Sequence, residues 1–224
     1  MRKSFFIFCL LAFGTAVIAP VQAQWRVGAS GGATHNWYAI DTQYQTDYRY
    51  DGAWGWTAGL FGQYNFKDWV GLRAEVVAME RNYRFYRTGS FSGTNYVSHN
   101  TYVQVPVMVQ FSFGGTRVRG FVHTGVYGGY WAAGREKGHL FDHMSGRTHP
   151  VDAAYVFQDE KDQRWDFGLA GGLGVEWLVT PHWMLHAEGR CYYSFVSTVK
   201  QYQVVKDYRY HTTIGMSIGV AYVF

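Results

Sequence analysis

The stretch Tyr102–Phe113, which reads YVQVPVMVQFSF, decides the fold. Every second residue is apolar, and these residues are Val103, Val105, Val107, Val109, Phe111 and Phe113. The positions between them include Gln104, Met108, Gln110 and Ser112. Alternation with a period of two is typical of a β-strand that has two chemically different faces.

The same period continues along the chain on both sides of this stretch. We count eight strands, around Trp25–Trp37, Trp54–Phe66, Val70–Ala78, Tyr102–Phe113, Val118–Trp131, Asp166–Trp177, Trp183–Tyr193 and Thr213–Phe224. Neither a linker nor a second domain interrupts them. The pattern therefore predicts one all-β domain.

Composition excludes several classes of protein. Aromatic residues make up 19% of the 224 residues and charged residues 16%, whereas a disordered chain is poor in aromatic residues and rich in charge. Two cysteines are too few for a disulfide scaffold. Mean hydropathy is -0.19, and the only long apolar run lies at the N-terminus, which argues against a helical membrane protein.

Residues 1–23 have the pattern of a secretory signal peptide. Arg2 and Lys3 precede an apolar stretch, and a cleavage site is expected after Ala23. We therefore expect the mature domain to comprise residues 24–224. Without the two basic residues the formal charge falls from +4 to +2, and so small an excess on an exported chain argues against a nucleic-acid partner.

Charged residues fall on the polar face of the predicted strands, so the apolar face is free to contact lipid. The lumen of an eight-stranded barrel is just wide enough to be filled by side chains. We predict a buried ionic network there, formed by Arg73, Glu75, Arg119, Asp166, Glu176, Glu188 and Arg190. Buried charges need partners, so a structural role is favoured over acid–base catalysis and over an open pore.

All nine tryptophans lie within about two residues of a predicted strand end. This placement is typical of the aromatic girdles of outer-membrane barrels. In a soluble barrel or sandwich, which is the alternative, core tryptophans would cluster at mid-strand. The predicted interfacial girdle comprises Trp25, Trp37, Trp54, Trp69, Trp131, Trp165, Trp177 and Trp183.

Connections between the strands alternate in length. Long segments at 38–53, 87–98, 132–164 and 198–208 alternate with short ones at 67–68, 114–116 and 180–182. Short periplasmic turns and long outer loops are typical of an antiparallel up-and-down outer-membrane barrel with both termini in the periplasm. Pro106 lies inside a strand, where proline is unusual, so we expect a local bulge there.

Two stretches resemble a known family. Tyr102–Phe113 with its Pro106, and Trp165–Trp177 with the motif residues Asp166, Gly168, Gly172, Gly174 and Glu176, resemble strands of PorT-like outer-membrane β-barrel proteins, also called porin-family proteins. The sequence departs from the family at Gln104 and Gln110. The resemblance implies a bacterial outer-membrane barrel. Some members of the family belong to an apparatus that exports proteins across the outer membrane.

The C-terminal strand resembles that of the same family because it ends on aromatic residues. Tyr222 and Phe224 are similar to the signal that the barrel-assembly machinery reads during biogenesis. The resemblance therefore implies this machinery and the lipids of the outer membrane as partners.

The predicted outer segments hold the candidate binding residues. His139, Asp142 and His143 lie in GHLFDHMSGRTH, where a helical turn would place both histidines on one side for zinc, with His149 as a further ligand. A solvated loop with incidental histidines is the alternative. The first outer segment is rich in tyrosine and aspartate, a composition that suits adaptable binding surfaces, with Tyr38, Tyr44, Tyr48, Tyr50, Asp41, Asp47 and Asp51.

Three functions are compatible with the sequence. The first is a structural or binding role through the extracellular loops, without an open pore. The second is a subunit of a protein-secretion apparatus, which only the resemblance suggests, and the third is a small-solute channel or a lipid-modifying enzyme. No nucleophile motif, phosphate loop or dinucleotide fingerprint is present, so we expect neither an enzyme nor a cofactor.

Overall fold

The computed structural model describes residues 24–42, 47–89, 92–142, 144–200 and 207–224. The predicted signal peptide, residues 1–23, lies outside the described residues. None of the described residues belongs to a helix that is long and apolar enough to cross a membrane.

The described residues form ten β-strands, and each of these pairs only with antiparallel neighbours. They are β1 (Gln24–Thr42), β2 (Tyr48–Lys67), β3 (Val70–Glu80), β4 (Tyr83–Arg87), β5 (Asn95–Gly114), β6 (Val118–Asp142), β7 (Arg147–Ala154), β8 (Trp165–Leu178), β9 (Trp183–Ser194) and β10 (Asp207–Val223).

The sheet closes on itself because β1 pairs with β2 on one side and with β10 on the other. Around the ring the order is β1, β2, β3, β5, β6, β8, β9 and β10. β4 lies between β2 and β5 in line with β3, and β7 pairs with the far part of β6. The ten strands therefore occupy eight positions, which confirms the predicted eight-stranded up-and-down barrel.

The line of β3 and β4 is interrupted at Arg81 and Asn82. The Asn82 side chain replaces backbone pairs there, since its Nδ2 donates to the Trp54 carbonyl (2.8 Å) and its Oδ1 accepts from the Asn100 N–H (3.1 Å). Buried backbone groups without a partner are costly. This amide therefore lets the strand break while its neighbours stay hydrogen-bonded.

Alternation sorts the side chains between an apolar outer surface and a polar lumen. In β3, Leu72 and Val76 are exposed, whereas Arg73 and Glu75 are buried. Outer apolar side chains are largely uncovered, and Ile218 is 72% exposed. Soluble monomers rarely expose a continuous apolar surface of this kind, whereas a barrel that spans a membrane requires one.

The two ends of the barrel differ. The turn end carries the short connections 68–69, 115–117 and 179–182, and the loop end carries the long ones. Much of what the sequence analysis assigned to loops is strand, because β6 continues to Asp142 and β7 covers Arg147–Ala154. Beyond the apolar band both faces of a strand contact water, so apolar and polar residues no longer alternate. Strand bounds predicted from alternation therefore end too early.

The bulge expected at Pro106 is not formed. The ladder between β3 and β5 has the same register on both sides of it, with Ala74 opposite Val107 and Val77 opposite Gln104. Only the intervening pairs are missing, and Pro106 faces the lumen opposite Tyr127. Proline lacks the N–H that a pair needs, so the ladder skips the position without shifting. Register shifts occur instead at Asn65/Lys67 and Thr101/Tyr102.

Candidate functional site: the lumen and its two mouths

Four charges form a neutral cluster at the centre of the lumen. Arg73 contacts Glu75 (Nε–Oε1, 2.5 Å) and Glu188 (Nη1–Oε2, 3.3 Å). Arg190 donates to Glu75 (Nη1–Oε2, 2.7 Å) and to Glu188 (Nη2–Oε1, 2.5 Å). Arg73 and Glu75 come from β3, and Glu188 and Arg190 from β9, which lies four places away in the ring of eight. The Arg73–Glu188 and Arg190–Glu75 pairs therefore cross the whole lumen.

A second ion pair crosses the lumen nearer the loop end. Arg81 donates to Asp166 (Nη1–Oδ2, 2.5 Å), which also accepts hydrogen bonds from the hydroxyls of Tyr127 (3.0 Å) and Ser194. The Arg81 guanidinium lies over the Tyr102 ring, 5.0 Å from its centroid. Arg81 is not among the predicted network residues, although it continues the alternation that places Arg73 on the inward face.

A third ion pair lies nearer the turn end. Arg26 donates to Glu176 (Nη1–Oε2, 2.9 Å), and Gln110 contacts the same oxygen at 3.4 Å. Both partners of the ion pair are buried. Arg26 shares the inward register of the predicted network but was not included in it, whereas Glu176 was.

Arg119 departs from the prediction. It is half-buried at the turn end, where it donates to the carbonyls of Gly115 (Nε, 2.9 Å) and Asp68 (Nη1, 3.1 Å). Among the described residues, no carboxylate forms an ion pair with it. Its strand neighbour Glu176 is engaged by Arg26 instead, so Arg119 is not a member of the interior ionic network.

Aromatic side chains fill the lumen at the loop end. Tyr38 stacks on Tyr83 with ring centroids 4.4 Å apart and planes at 5°. Tyr102 stacks on Trp131 at 5.9 Å, and Trp131 in turn stacks on Tyr155 at 5.2 Å. We call this group the aromatic plug. Stacked rings bury large apolar areas, and the plug packs inside the lumen on the loop-end side of the Arg81 ion pair.

The sequence of this barrel matches a known protein family. The family described as outer membrane protein beta-barrel domain matches residues 20–200. The chain belongs to this family. The protein is therefore an outer-membrane β-barrel, as composition, alternation and loop lengths predicted. The match supports the outer-membrane barrel in general and not the PorT-like group in particular.

Solved structures of outer-membrane barrels are similar to this barrel. OprG from Pseudomonas aeruginosa is 14% identical, with 89% of this chain and 95% of that chain covered and a TM-score of 0.53. Neisserial surface protein A is 17% identical, with 89% and 97% covered and a TM-score of 0.46. No curated protein matches the chain. At these identities the likeness shows the fold alone.

The girdle prediction is wrong for one tryptophan of this outer-membrane barrel. Trp131 is 6% exposed and lies inside, where its indole Nε1 donates to the Ala133 carbonyl (3.0 Å). In β6 the odd-numbered residues, among them Arg119 and Trp131, face the lumen. The prediction used only the position of a tryptophan at a strand end, which does not tell a ring in the lumen from a ring that faces lipid. The other seven are on the outer surface and 45–68% exposed, namely Trp25, Trp37, Trp54, Trp69, Trp165, Trp177 and Trp183.

The tyrosines of the first outer segment divide between the plug and the surface. Tyr38 packs inside against Tyr83, and the ring of Tyr50 contacts that of Phe85 (5.1 Å). Tyr48 is 41% exposed. Tyr44 and the side chain of Asp41 lie outside the described residues. Of the described tyrosines of this segment, Tyr38 and Tyr50 pack against other rings and Tyr48 is exposed.

The histidine-rich segment of the barrel is a β-hairpin and not a helical turn. His139 is opposite Pro150, and His149 is opposite Leu140, so the two histidines point to opposite faces of the hairpin. The Ser145 hydroxyl donates to Asp142 (2.6 Å) and lowers the pKa of that carboxyl. His143 lies outside the described residues, and among the rest no three His, Cys, Asp or Glu side chains could hold a metal ion.

Interior histidines and Ser194 do not form a nucleophile–base pair with each other. The Ser194 hydroxyl, which has one proton to donate, lies within hydrogen-bond distance of Asp166 and of the Val196 carbonyl. His211 contacts Asn36 (2.9 Å) and Tyr102 (3.5 Å), while His123 lies 3.9 Å from Glu188. A nucleophile needs a base within hydrogen-bond distance, and of the residues that the structure describes Ser194 has the Asp166 carboxylate there and no histidine.

The C-terminal residues lie on the outer surface beside β1. Tyr222 and Phe224 follow the outward register of β10, and Phe224 is 69% exposed. The Phe224 N–H donates to the Trp25 carbonyl (3.0 Å), which extends the pairing of β10 with β1 to the last residue. Their role as an assembly signal stays a prediction.

Proposed function

We propose that this outer-membrane barrel is closed to solutes and acts by binding, through the surface at its loop end. The central cluster is the observation that supports closure to solutes. In it, Arg73 and Glu75 of β3 form ion pairs with Glu188 and Arg190 of β9 across the lumen. Opening a path would separate buried charges from their partners, which is strongly unfavourable. The aromatic plug supports the same conclusion.

Planar-bilayer recording tests whether the barrel is closed. We expect no stable conductance from the refolded protein at neutral pH. The matched comparison is a variant with Arg73, Glu75, Glu188 and Arg190 all changed to alanine, which removes the crossing side chains while leaving no net charge behind. Steady nanosiemens-scale steps from the unaltered protein would show a channel and overturn the proposal.

The β6–β7 hairpin supports the binding half of the proposal. It projects beyond the apolar band, seven of the eight β7 residues are exposed, and Met144 at its tip is 97% exposed. Within the described part of the chain, β7 pairs only with β6, so its second edge presents free backbone groups. Such edges bind extended segments of partners by strand addition, and Pro150 limits uncontrolled self-association.

We propose that the loop end faces the cell exterior and that both termini are periplasmic. An epitope inserted after Gly146, at the hairpin tip, should be labelled by antibody on intact cells. The same epitope after Gly115, in a turn-end connection, should be labelled only after the outer membrane is permeabilised. The reverse labelling pattern would show that the barrel has the opposite orientation and that the proposed binding surface lies in the periplasm.

A photo-crosslinking amino acid at Met144 or Val156 tests the binding role in intact cells. Both side chains are exposed at the loop end, and Thr116 provides a matched exposed site at the turn end. We expect discrete adducts from the loop-end sites with an extracellular protein or glycan, and none from Thr116. Adducts from Thr116 alone would instead favour a periplasmic assembly, such as the secretion apparatus that the PorT-like resemblance implies.

We further propose that the protein is not an enzyme. The support is that Ser194 faces Asp166 instead of a histidine, so the lumen lacks an activated nucleophile at that position. Measurable lipase or protease activity of the refolded barrel that is lost in Ser194→Ala would overturn this proposal.

A further inference from the structure

A polar cavity of about 140 Å³ lies in the turn-end mouth of the barrel. It forms where the connections 68–69, 115–117 and 179–182 meet. Its floor is the buried ion pair of Arg26 and Glu176, beside Met184, and its walls include Asp68, Arg117 and Arg119. The cavity lies at the opposite end from the binding surface proposed above, so it is independent of that function.

The charges of the cavity do not cancel. Arg26 is neutralised by Glu176 at 2.9 Å. The walls then hold two guanidinium groups and one carboxylate, and no ion pair among the described residues joins Arg117 or Arg119 to Asp68. One positive charge is therefore left over in a concave site, where it is screened less than on an open surface.

The geometry of Arg119 leaves part of its guanidinium available to a ligand. Its Nε and Nη1 donate to the carbonyls of Gly115 and Asp68, which fix the orientation of the group. A guanidinium has five N–H donors, so three remain without a partner among the described residues. A fork held in place in this way loses little entropy when it binds a carboxylate or a phosphate through two hydrogen bonds.

We propose that the turn-end mouth binds one small oxyanion, a carboxylate or a phosphate, with Arg119 as its principal ligand. The ion enters from solution along the barrel axis, because Arg26, Glu176 and Arg119 lie on the inward register and not on the lipid-facing surface. The volume is that of about four to five water molecules, which suits a single small ion with little accompanying water.

Titration with inorganic phosphate tests the proposal. The full mature barrel is refolded in zwitterionic detergent, sodium phosphate is titrated by calorimetry at constant ionic strength, and sodium chloride serves as the blank. We expect saturable binding at one site, weakened about tenfold or more in Arg119→Gln because charge-assisted hydrogen bonds are lost. Arg84→Gln removes an exposed arginine from β4 at the other end, and it should bind like the unaltered protein.

Asp68→Asn separates binding from a purely structural role of Arg119. Removing the one wall carboxylate should tighten phosphate binding severalfold, since like charge opposes the anion, and a guanidinium that only holds two turns together predicts no change. This variant also keeps the test decisive if Arg119→Gln fails to fold, which heat-modifiable gel migration would reveal. Non-saturable binding, or unchanged affinity in Asp68→Asn, overturns the proposal.

A last arm distinguishes a soluble anion from a lipid headgroup. The titration is repeated in nanodiscs with and without phosphatidylglycerol. Equal phosphate affinity in the two preparations is expected for an axial site. Loss of phosphate binding only in the discs with phosphatidylglycerol would assign the cavity to a lipid headgroup and overturn the entry of a soluble ion.

Discussion

At the scale of single residues, an ion pair inside the lumen and one on the exposed surface should differ in their contribution to stability. Arg190 contacts both Glu75 and Glu188, whereas Arg135 pairs with Asp152 on the exposed surface beyond the band. Removing one partner of a buried pair leaves an uncompensated charge, while an exposed pair contributes little. The two arginines therefore form a natural comparison.

Arg190→Leu should destabilise the barrel by roughly 3 to 5 kcal/mol, because Glu75 and Glu188 then share the single cation of Arg73. Urea unfolding of the protein in lipid vesicles, followed by tryptophan fluorescence, measures the change. Arg135→Leu is the matched control and should unfold close to the unaltered protein. Equal effects of the two substitutions would mean that water reaches the central cluster freely.

Trp131→Ala should cost about 3 to 5 kcal/mol because it removes a buried ring from between Tyr102 and Tyr155. Trp165, which is 57% exposed on the outside, provides the comparison, and Trp165→Ala should cost clearly less. The same unfolding assay decides between them. A larger loss in Trp165→Ala would show that lipid contact outweighs the packing of the plug.

At the scale of elements, the long strands β5 and β6 carry the structure beyond the membrane, and β7 completes a three-stranded sheet there. Glu136 lies in this extension, opposite Ser98 and Ala153. Burial raises the pKa of the Glu136 carboxyl, since removal from water disfavours the charged form. The extension is therefore most stable when this group is protonated.

Glu136→Gln should stabilise the β6–β7 hairpin at neutral pH and leave it unchanged in acid. Because the pKa of Glu136 is raised in the folded state, its protonated form contributes to stability. That contribution is fully present below the ordinary carboxyl pKa and is lost as the pH rises through the raised pKa. Glutamine removes that loss. Hydrogen exchange of the hairpin amides, corrected for intrinsic rates, should show more protection in the variant at pH 7. A gain of equal size in acid would contradict the assignment.

At the scale of the whole molecule, everything depends on closure of the ring between β1 and β10. Gly32 lies opposite Ser217 in that seam, and a Cβ at Gly32 would overlap the Met216 carbonyl oxygen. A Cβ at Gly189, on the lipid-facing surface of β9, would meet no atom within 4 Å. The two glycines differ in this respect although both lie inside strands.

Gly32→Val should prevent closure, because the added carbons collide with backbone that cannot move without opening the seam. Gly189→Val should fold, since its side chain enters open space on the lipid side. Heat-modifiable migration on a gel measures closure, and only the Gly189 variant should show the compact form. Normal migration of Gly32→Val would mean that the seam tolerates a shift in register.

Much of the fold could be predicted from the sequence because a barrel imposes a simple rule on every strand. Alternation around Tyr102–Phe113 and its counterparts separates lipid-facing from lumen-facing residues, and the placement of Arg73, Glu75, Glu188 and Arg190 on the inward face follows from parity alone. Parity could also have identified Arg81. Parity also places Trp131 on the inward face of its strand with Arg119, whereas position at a strand end does not separate it from the lipid-facing tryptophans.

The sequence by itself determined the eight strand positions of the ring, their up-and-down order and which face of each strand enters the lumen, since a period of two and alternating connection lengths are local properties. Only the tertiary structure decided which charges meet. Glu176 pairs with Arg26 instead of its strand neighbour Arg119, and β3 meets β9 across the ring. Contacts across a closed barrel depend on its diameter and on the stagger of its strands, which no single strand encodes.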